Sequence, residues 1–409
     1  MNPSLREDAQ VIIRRSIQAV LPDEAVRRAL QGRVFTGRVV LIAAGKAAWQ
    51  MAKAACDAVR PERGVVVTKY GHVGGPIEGI ACFEAGHPVP DENSFRATHA
   101  ALDAVRGLTA EDTVLFLLSG GGSALFEEPL VSGEELQNIT QQLLACGADI
   151  VEMNTIRKRL SAVKGGRFAL RCAPARVFSI VLSDILGDPL DMIASGPACA
   201  DRSTCADAQR IVEKYGLRLS PQAAALLRQE TPKALSNVET VITGSVRELA
   251  SAAAACCREL GYEPMLLTDR LCCEAREAGS FLASIARTHA DNRQSLAFLA
   301  GGETVVHLTG AGLGGRNQEV ALSAAEGIAG LENVLIFSLG SDGTDGPTDA
   351  AGGIVDGHTR AALAEQGLSI HAVLAENDAY HALKSVNGLI FTGPTGTNVN
   401  DISVVLIRP

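Results

Sequence analysis

Short β-branched apolar runs alternate along the chain with longer Ala- and Leu-rich stretches whose apolar positions recur at helical spacing. The runs Val39–Ala44, Gly64–Thr68, Thr113–Leu118 and Val177–Leu182 read as strands. Between them, Lys46–Val59, Ser94–Val105 and Gly133–Cys146 read as helices. A second series follows, with strands expected at Glu239–Thr243, Pro264–Thr268, Leu296–Ala300 and Val334–Leu339 and Ala-rich helices at Val246–Leu260 and Ala275–Thr288. This alternation predicts an α/β architecture with a mostly parallel sheet in the first part. At 409 residues the chain exceeds a usual single domain. Gln229–Asn237, with its proline and polar residues, breaks the periodicity, so two α/β domains are expected, residues 1–235 and 236–409.

The glycines and charges fall mostly where predicted strands end. Such turns follow Val39–Ala44, Thr113–Leu118, Val177–Leu182, Leu296–Ala300 and Val334–Leu339. Ligands of open α/β sheets bind at the carboxyl ends of strands, so the pattern predicts one cleft between two domains.

Composition narrows the partners. Lys and Arg total 37 against 46 Asp and Glu, a net charge of −9, which argues against a dedicated nucleic-acid or membrane-surface binder. Apolar runs stop far short of the roughly 20 residues that a membrane span needs, and the N-terminus lacks the unbroken apolar core of a signal peptide. The expected setting is cytoplasmic. The ten cysteines include the adjacent pairs Cys256-Cys257 and Cys272-Cys273 but show no metal-finger spacing, so they read as reduced, apolar core residues.

Several turns carry candidate chemistry. Ser119-Gly120-Gly121-Gly122-Ser123 lets backbone N–H groups approach an anion and adds two hydroxyls, and phosphate is the natural guest. It matches neither GxxxxGK[ST] nor GxGxxG. Lys46, after Gly45, could reach a phosphate or carboxylate as a point charge. The basic stretch Asn154–Phe168 reads as an anion-binding patch or a solvated helix. Asp184, Asp188 and Asp191 suit Mg²⁺, proton transfer or turn chemistry, with Asp184 and Asp188 the preferred metal ligands. Arg316 should open a helix and stand beside free N–H groups, a good arrangement for an anionic transition state. Asp342, Asp345 and Asp349 resemble a calcium loop but lack its closing Glu. Thr392–Asp401 is a turn of the kind that wraps small ligands. His87, flanked by proline ahead of the capping residues Asp91–Ser94, reads as structural.

Taken in order, AAGKAAW (Ala43–Trp49), AGHPVPDENS (Ala85–Ser94), LSGGGSAL (Leu118–Leu125), MNTIRKRLSAVKGGRFA (Met153–Ala169), LSDILGDPLDMIASGP (Leu182–Pro197), GGRNQEVALSAA (Gly314–Ala325), GSDGTDGPTDAAGGIVD (Gly340–Asp356) and TGPTGTNVND (Thr392–Asp401) closely resemble class II glycerate kinase. These are the glycerate 2-kinases with a C-terminal MOFRL domain. The resemblance implies a Rossmann-like first domain, a smaller mixed-sheet MOFRL domain and an active site in the cleft between them. It implies ATP-dependent phosphorylation of D-glycerate to 2-phosphoglycerate, with Mg²⁺ and ATP as cofactors. Lys46 and Arg316 resemble the family's catalytic pair, Asp342 an acidic partner, and Ser119, Gly120, Gly121, Gly122 and Ser123 the phosphate loop. A homodimer is compatible with this reading, which does not fix the oligomeric state.

Some members bear the label hydroxypyruvate reductase, which would require a nicotinamide cofactor. Against that alternative, neither half supplies GxGxxG after a strand with an acid about 20 residues on. A non-catalytic sugar-acid binding protein would leave the phosphate loop unexplained.

Overall fold

Alternate residues of one central strand enter two different cores. In β1 (Val39–Ala44), Val40, Ile42 and Ala44 join one apolar cluster, while Val39, Leu41 and Ala43 join another. Successive side chains of a strand point to opposite faces, so a strand buried on both sides must be apolar throughout, as VVLIAA is. Each fully buried Val, Leu or Ile contributes about 1.5–3 kcal/mol before conformational entropy is subtracted.

The computed structural model describes residues 4–409. Around β1 lie β2 (Arg63–Lys69), β3 (Ile80–Ala85), β4 (Thr113–Leu118), β5 (Arg176–Leu182) and β6 (Val238–Gly244), in the order β3-β2-β1-β4-β5-β6. The pairs among β1 to β5 are parallel. This is the doubly wound order in which the chain reverses direction between β1 and β4.

The second sheet contains β7 (Glu263–Leu271), β8 (Leu296–Gly302), β9 (Val334–Gly340), β10 (Gly352–Asp356), β11 (Leu389–Ile390) and β12 (Asp401–Ile407), in the order β11-β10-β9-β12-β8-β7. It is mixed: β12 runs antiparallel to both β8 and β9, whereas β7 and β8 are parallel. Its faces again divide by alternation, with Phe298, Ile336 and Val405 in one core and Leu299, Phe337 and Val404 in the other.

The chain divides at two places rather than at the expected 235/236. One unit is Pro22–Thr243, and the other joins Gly244–Pro409 to the N-terminal helix Leu5–Ala19. Two physical causes account for the difference. Val177 N–H donates to Asn237 O at 2.7 Å, leading the chain into β6 beside β5 and so extending the first sheet past the proposed linker. The N-terminal helix buries Ala9, Ile12, Ile13 and Ile17 against Leu249, Ala253, Cys256 and Cys257 of the second unit. Buried Asp8 fixes it there, accepting from Tyr262 Oη at 2.6 Å and pairing with Arg408 at 2.8 Å. Cys256 and Cys257 therefore sit in the core, and burial pushes the Cys257 thiol up to about 12. Among the described residues, no helix is long and apolar enough to cross a membrane.

Candidate active site

The reversal between β1 and β4 sets two turns side by side at the carboxyl ends of those strands. Lys46 N–H donates to Gly120 O at 2.8 Å, Ser119 N–H to Ala44 O at 3.0 Å, and Ala47 N–H to Ser119 Oγ at 3.0 Å. Gly45 has φ +128°, and a Cβ there would lie 2.2 Å from Ser119 Oγ, so only glycine permits the approach. Ser119 is thereby committed to joining the two turns. Ser123 Oγ meets Ser195 Oγ at 3.2 Å, and Ser195 in turn donates to Asn154 Oδ1 at 2.9 Å.

What the turn leaves open is backbone. Gly122 N–H folds back to Ser119 O at 3.4 Å, but among the described residues the N–H groups of Gly120 and Gly121 meet no protein acceptor. Two adjacent unpaired amides in a glycine turn form an anion-binding concavity. A Cβ on Gly121 would meet His87 Cδ2 at 3.0 Å and Lys46 Cγ at 3.2 Å, so both basic side chains flank the loop. On its other side, a Cβ on Gly120 would meet Asp184 Oδ2 at 2.2 Å. Asp188 follows in a left-handed turn at φ +52°, and its Oδ1 is buried without a hydrogen-bond partner.

The basic stretch that read as an anion patch or a solvated helix is largely neither. Lys158 pairs with Asp201 at 3.1 Å and Asp191 at 3.4 Å, Arg159 donates to Ser203 Oγ at 2.9 Å, and Lys164 pairs with Glu127 at 2.8 Å, all three bases fully or nearly buried. Asp191 is thus already engaged by Lys158. Arg157 alone reaches the phosphate-loop candidate, donating to Ser123 O at 3.2 Å.

In the second unit, strand register collects the charges. Asp401 opens β12 opposite Gly302 and Gly340, the last residues of β8 and β9, so the carboxylates of Glu303, Asp342 and Asp401 share one end of the sheet. Arg316 donates from Nε to Asp401 Oδ2 at 2.6 Å, from Nη2 to Asp401 Oδ1 at 3.0 Å and from Nη1 to Glu303 Oε1 at 2.7 Å. A Cβ on Gly340 would lie 3.3 Å from Asp342 Oδ1 and 3.4 Å from Asp401 Oδ1, which places Asp342 beside the same group.

Arg316 does open a helix, Arg316–Gly327, but the expected free N–H groups are taken. Asn317 N–H and Gln318 N–H donate to the two Asp345 carboxylate oxygens at 3.1 and 2.9 Å. Burial pushes the Asp345 carboxyl up, and those amides oppose the shift. Asp345 is therefore a helix cap, and Asp349 accepts from Tyr380 Oη at 2.7 Å. Sequence reasoning set His87 aside and did not single out Glu303 or Asp401. The apolar run Ile402–Ile407 was the available signal for the last of these, since an antiparallel strand would carry its first residue to the carboxyl ends of its neighbours.

Known families match both parts of the chain. Residues 8–228 match a family model described as a domain of unknown function, DUF4147, and residues 296–401 match the MOFRL family. A D-glycerate 2-kinase from Thermotoga maritima is 53% identical, with 99% of each chain covered. The chain belongs to the glycerate 2-kinase family. A glycerate 2-kinase from Pyrococcus horikoshii is 42% identical over 98% of this chain and 97% of its own. The crystal structure of the Thermotoga maritima glycerate kinase superposes with a TM-score of 0.94 at 52% identity, covering 98% of this chain and 99% of that one. A relative from Agrobacterium vitis, 42% identical over 91% of this chain and 87% of its own, is provisionally named a hydroxypyruvate reductase.

Proposed function

We propose that this chain transfers the γ-phosphoryl group of ATP to the C2 hydroxyl of D-glycerate, giving 2-phosphoglycerate and ADP. The observation that carries this reading is the pair of unpaired amides at Gly120 and Gly121 beside Lys46, at the reversal point of the first sheet. The names of the whole-length relatives give the reaction class.

In this reading, the Gly120 and Gly121 amides hold phosphate oxygens, with Gly122, Ser119 and Ser123 shaping the loop. Lys46 supplies positive charge to the transferring group. Phosphoryl transfer asks little covalent work of a protein, and positioning with charge stabilisation carries the rate. Arg316 binds an anionic group of the reactants, held in orientation by Asp401 and Glu303, with Asp342 as its acidic neighbour.

Asp184 and Asp188 are the residues that would hold Mg²⁺, and the buried, unpartnered Oδ1 of Asp188 fits a cation ligand. Among the described residues, no group of three or more His, Cys, Asp or Glu could hold a metal ion. Mg²⁺ does not need such a group, since one or two carboxylates are completed by waters and phosphate oxygens. Bound there, the ion would neutralise charge on the phosphates.

Incubation with D-glycerate and Mg-ATP should release ADP, and phosphorus NMR of the product should show 2- rather than 3-phosphoglycerate. Hydroxypyruvate with NADH should show no oxidation of the nicotinamide. Lys46→Ala should lower kcat by roughly 10²-fold or more, the scale for removing one electrostatic stabiliser. NADH oxidation without ADP release would replace this reading with the reductase.

A further inference from the structure

His87 follows β3 at the carboxyl edge of the first sheet, and its ring lies against the phosphate-loop candidate. A Cβ on Gly121 would come within 3.1 Å of Nε2 and 3.0 Å of Cδ2. The side chain is half-buried, yet among the described residues neither ring nitrogen has a hydrogen-bond partner. Other polar groups nearby are engaged. His72 Nδ1 lies 3.1 Å from Lys46 O, and Asp91 accepts from Tyr70 Oη at 2.7 Å and from Ser94 N–H at 3.0 Å.

We infer that His87 is the general base of the reaction, taking the proton from the glycerate hydroxyl as that oxygen attacks the γ-phosphorus. This rests on the kinase reading above. The O–H bond breaks with its proton passing to a ring nitrogen of His87, and the new O–P bond forms. The bond from phosphorus to the β,γ-bridging oxygen breaks, and ADP leaves with that electron pair. The imidazolium then returns its proton to water. The sum is glycerate plus ATP giving 2-phosphoglycerate, ADP and a proton.

Three features separate this role from packing. Nε2 is unpaired and lies beside Gly121, one of the two glycines with an unpaired amide. Burial holds the imidazole below its ordinary value of 6.5, and the positive charges of Lys46 and Lys69, with His72, push the same way. The ring is therefore neutral and able to accept a proton at neutral pH. Asp184, on the Gly120 side of the loop, is already assigned to the cation.

The test uses the full-length chain with His87→Gln and His87→Ala. At saturating ATP and glycerate, kcat should fall by about 10²–10⁴-fold in both, with ATP affinity by titration calorimetry within about threefold of wild type. Imidazole added to His87→Ala should restore at least about tenfold in kcat. Wild-type kcat/KM for glycerate should rise with pH through a limb below 6.5 that His87→Gln lacks.

A kcat within about threefold of wild type in either variant overturns the inference. So does a loss confined to ATP affinity or to the KM values, which would make His87 a ligand of the bound anion instead. Should His87→Ala fail to fold, as judged by circular dichroism, the pH profile of His87→Gln decides. The two readings fail separately. A wild-type chain that forms no ADP from ATP and glycerate sinks the kinase assignment, whereas an active wild type with equally active His87 variants sinks only the base.

Discussion

Asp401 grips Arg316 with both carboxylate oxygens, at 2.6 Å from Nε and 3.0 Å from Nη2. Glu303 takes a third N–H, at 2.7 Å from Nη1. A guanidinium has five N–H donors in a fixed plane, so two are left for a ligand, and their direction is set by the two carboxylates. Burial opposes the Arg316 charge, but the hydrogen bonds and charge of Asp401, with Glu303 behind it, outweigh that and hold the group above its ordinary value.

Because orientation rather than charge alone is built into this group, Arg316→Lys should behave much more like Arg316→Ala than like wild type. Both should lower kcat and kcat/KM together by roughly 10²-fold or more, the pattern of an interaction made in the transition state. Asp401→Asn should lower kcat less, because Glu303 still holds Nη1. Steady-state kinetics of the three variants settle the order. A lysine variant with near wild-type kcat would show that Arg316 contributes only positive potential.

The glycine loop makes a sharper demand. Gly121 has φ +85°, a region costly for side-chain-bearing residues, and any Cβ meets His87 and Lys46. Gly121→Val should therefore raise the ATP dissociation constant at least about tenfold while the far-UV spectrum stays that of the wild type. Titration calorimetry with ATP gives the answer, and unchanged affinity would return the loop to a connecting turn.

The two aspartates of the following turn should separate. If Asp188 holds Mg²⁺ as proposed, Asp188→Asn should raise the Mg²⁺ concentration for half-maximal rate by about tenfold, since its buried oxygen loses its charge. Asp191→Asn should leave that concentration unchanged and lower the melting temperature, because Asp191 pairs with buried Lys158. Magnesium titrations of kcat and thermal melts on both variants distinguish the two roles.

How far these sites were legible depended on the range of the interactions that make them. Lys46 and Gly120–Gly122 could be read because both lie in turns after uniformly apolar strands, a local signal, and the strand order then brings them together. The antiparallel β12 was missed as a strand, so Asp401 was not placed against Arg316, 85 positions away. Asp345 looked like one more acidic turn residue, and only its fold-back onto Asn317 and Gln318 makes it a cap. His87 was set aside because proline and capping residues explained its segment, whereas its proximity to Gly121 depends on two separate strands ending at one edge. The N-terminal helix shows the same limit: its apolar face was readable, but not which core it would join.

Lys164 offers the last test, one of stability. It is fully buried against Glu127 at 2.8 Å, and burial lowers its pKa to about 8 from an ordinary 10.5, with the Glu127 charge working against that shift. Between those two values the unfolded chain carries a proton on this lysine that the folded chain has released. The unfolded state binds more protons there, so this term makes stability rise with pH from about 8 to 10.5, and the contribution is lost as pH falls through about 8. The slope is at most about 1.4 kcal/mol per pH unit. Replacing both partners, Glu127→Leu with Lys164→Met, removes the term, and such swaps of a buried pair are often neutral or stabilising at neutral pH. Glu127→Leu alone should cost roughly 3–5 kcal/mol there, because Lys164 then lies in the core uncompensated. Urea unfolding of wild type and double variant at pH 7.5, 8.5 and 9.5 gives the comparison. The stability of wild type relative to the double variant should grow across that series, and a difference that stays flat would mean that Lys164 keeps its proton in the fold throughout.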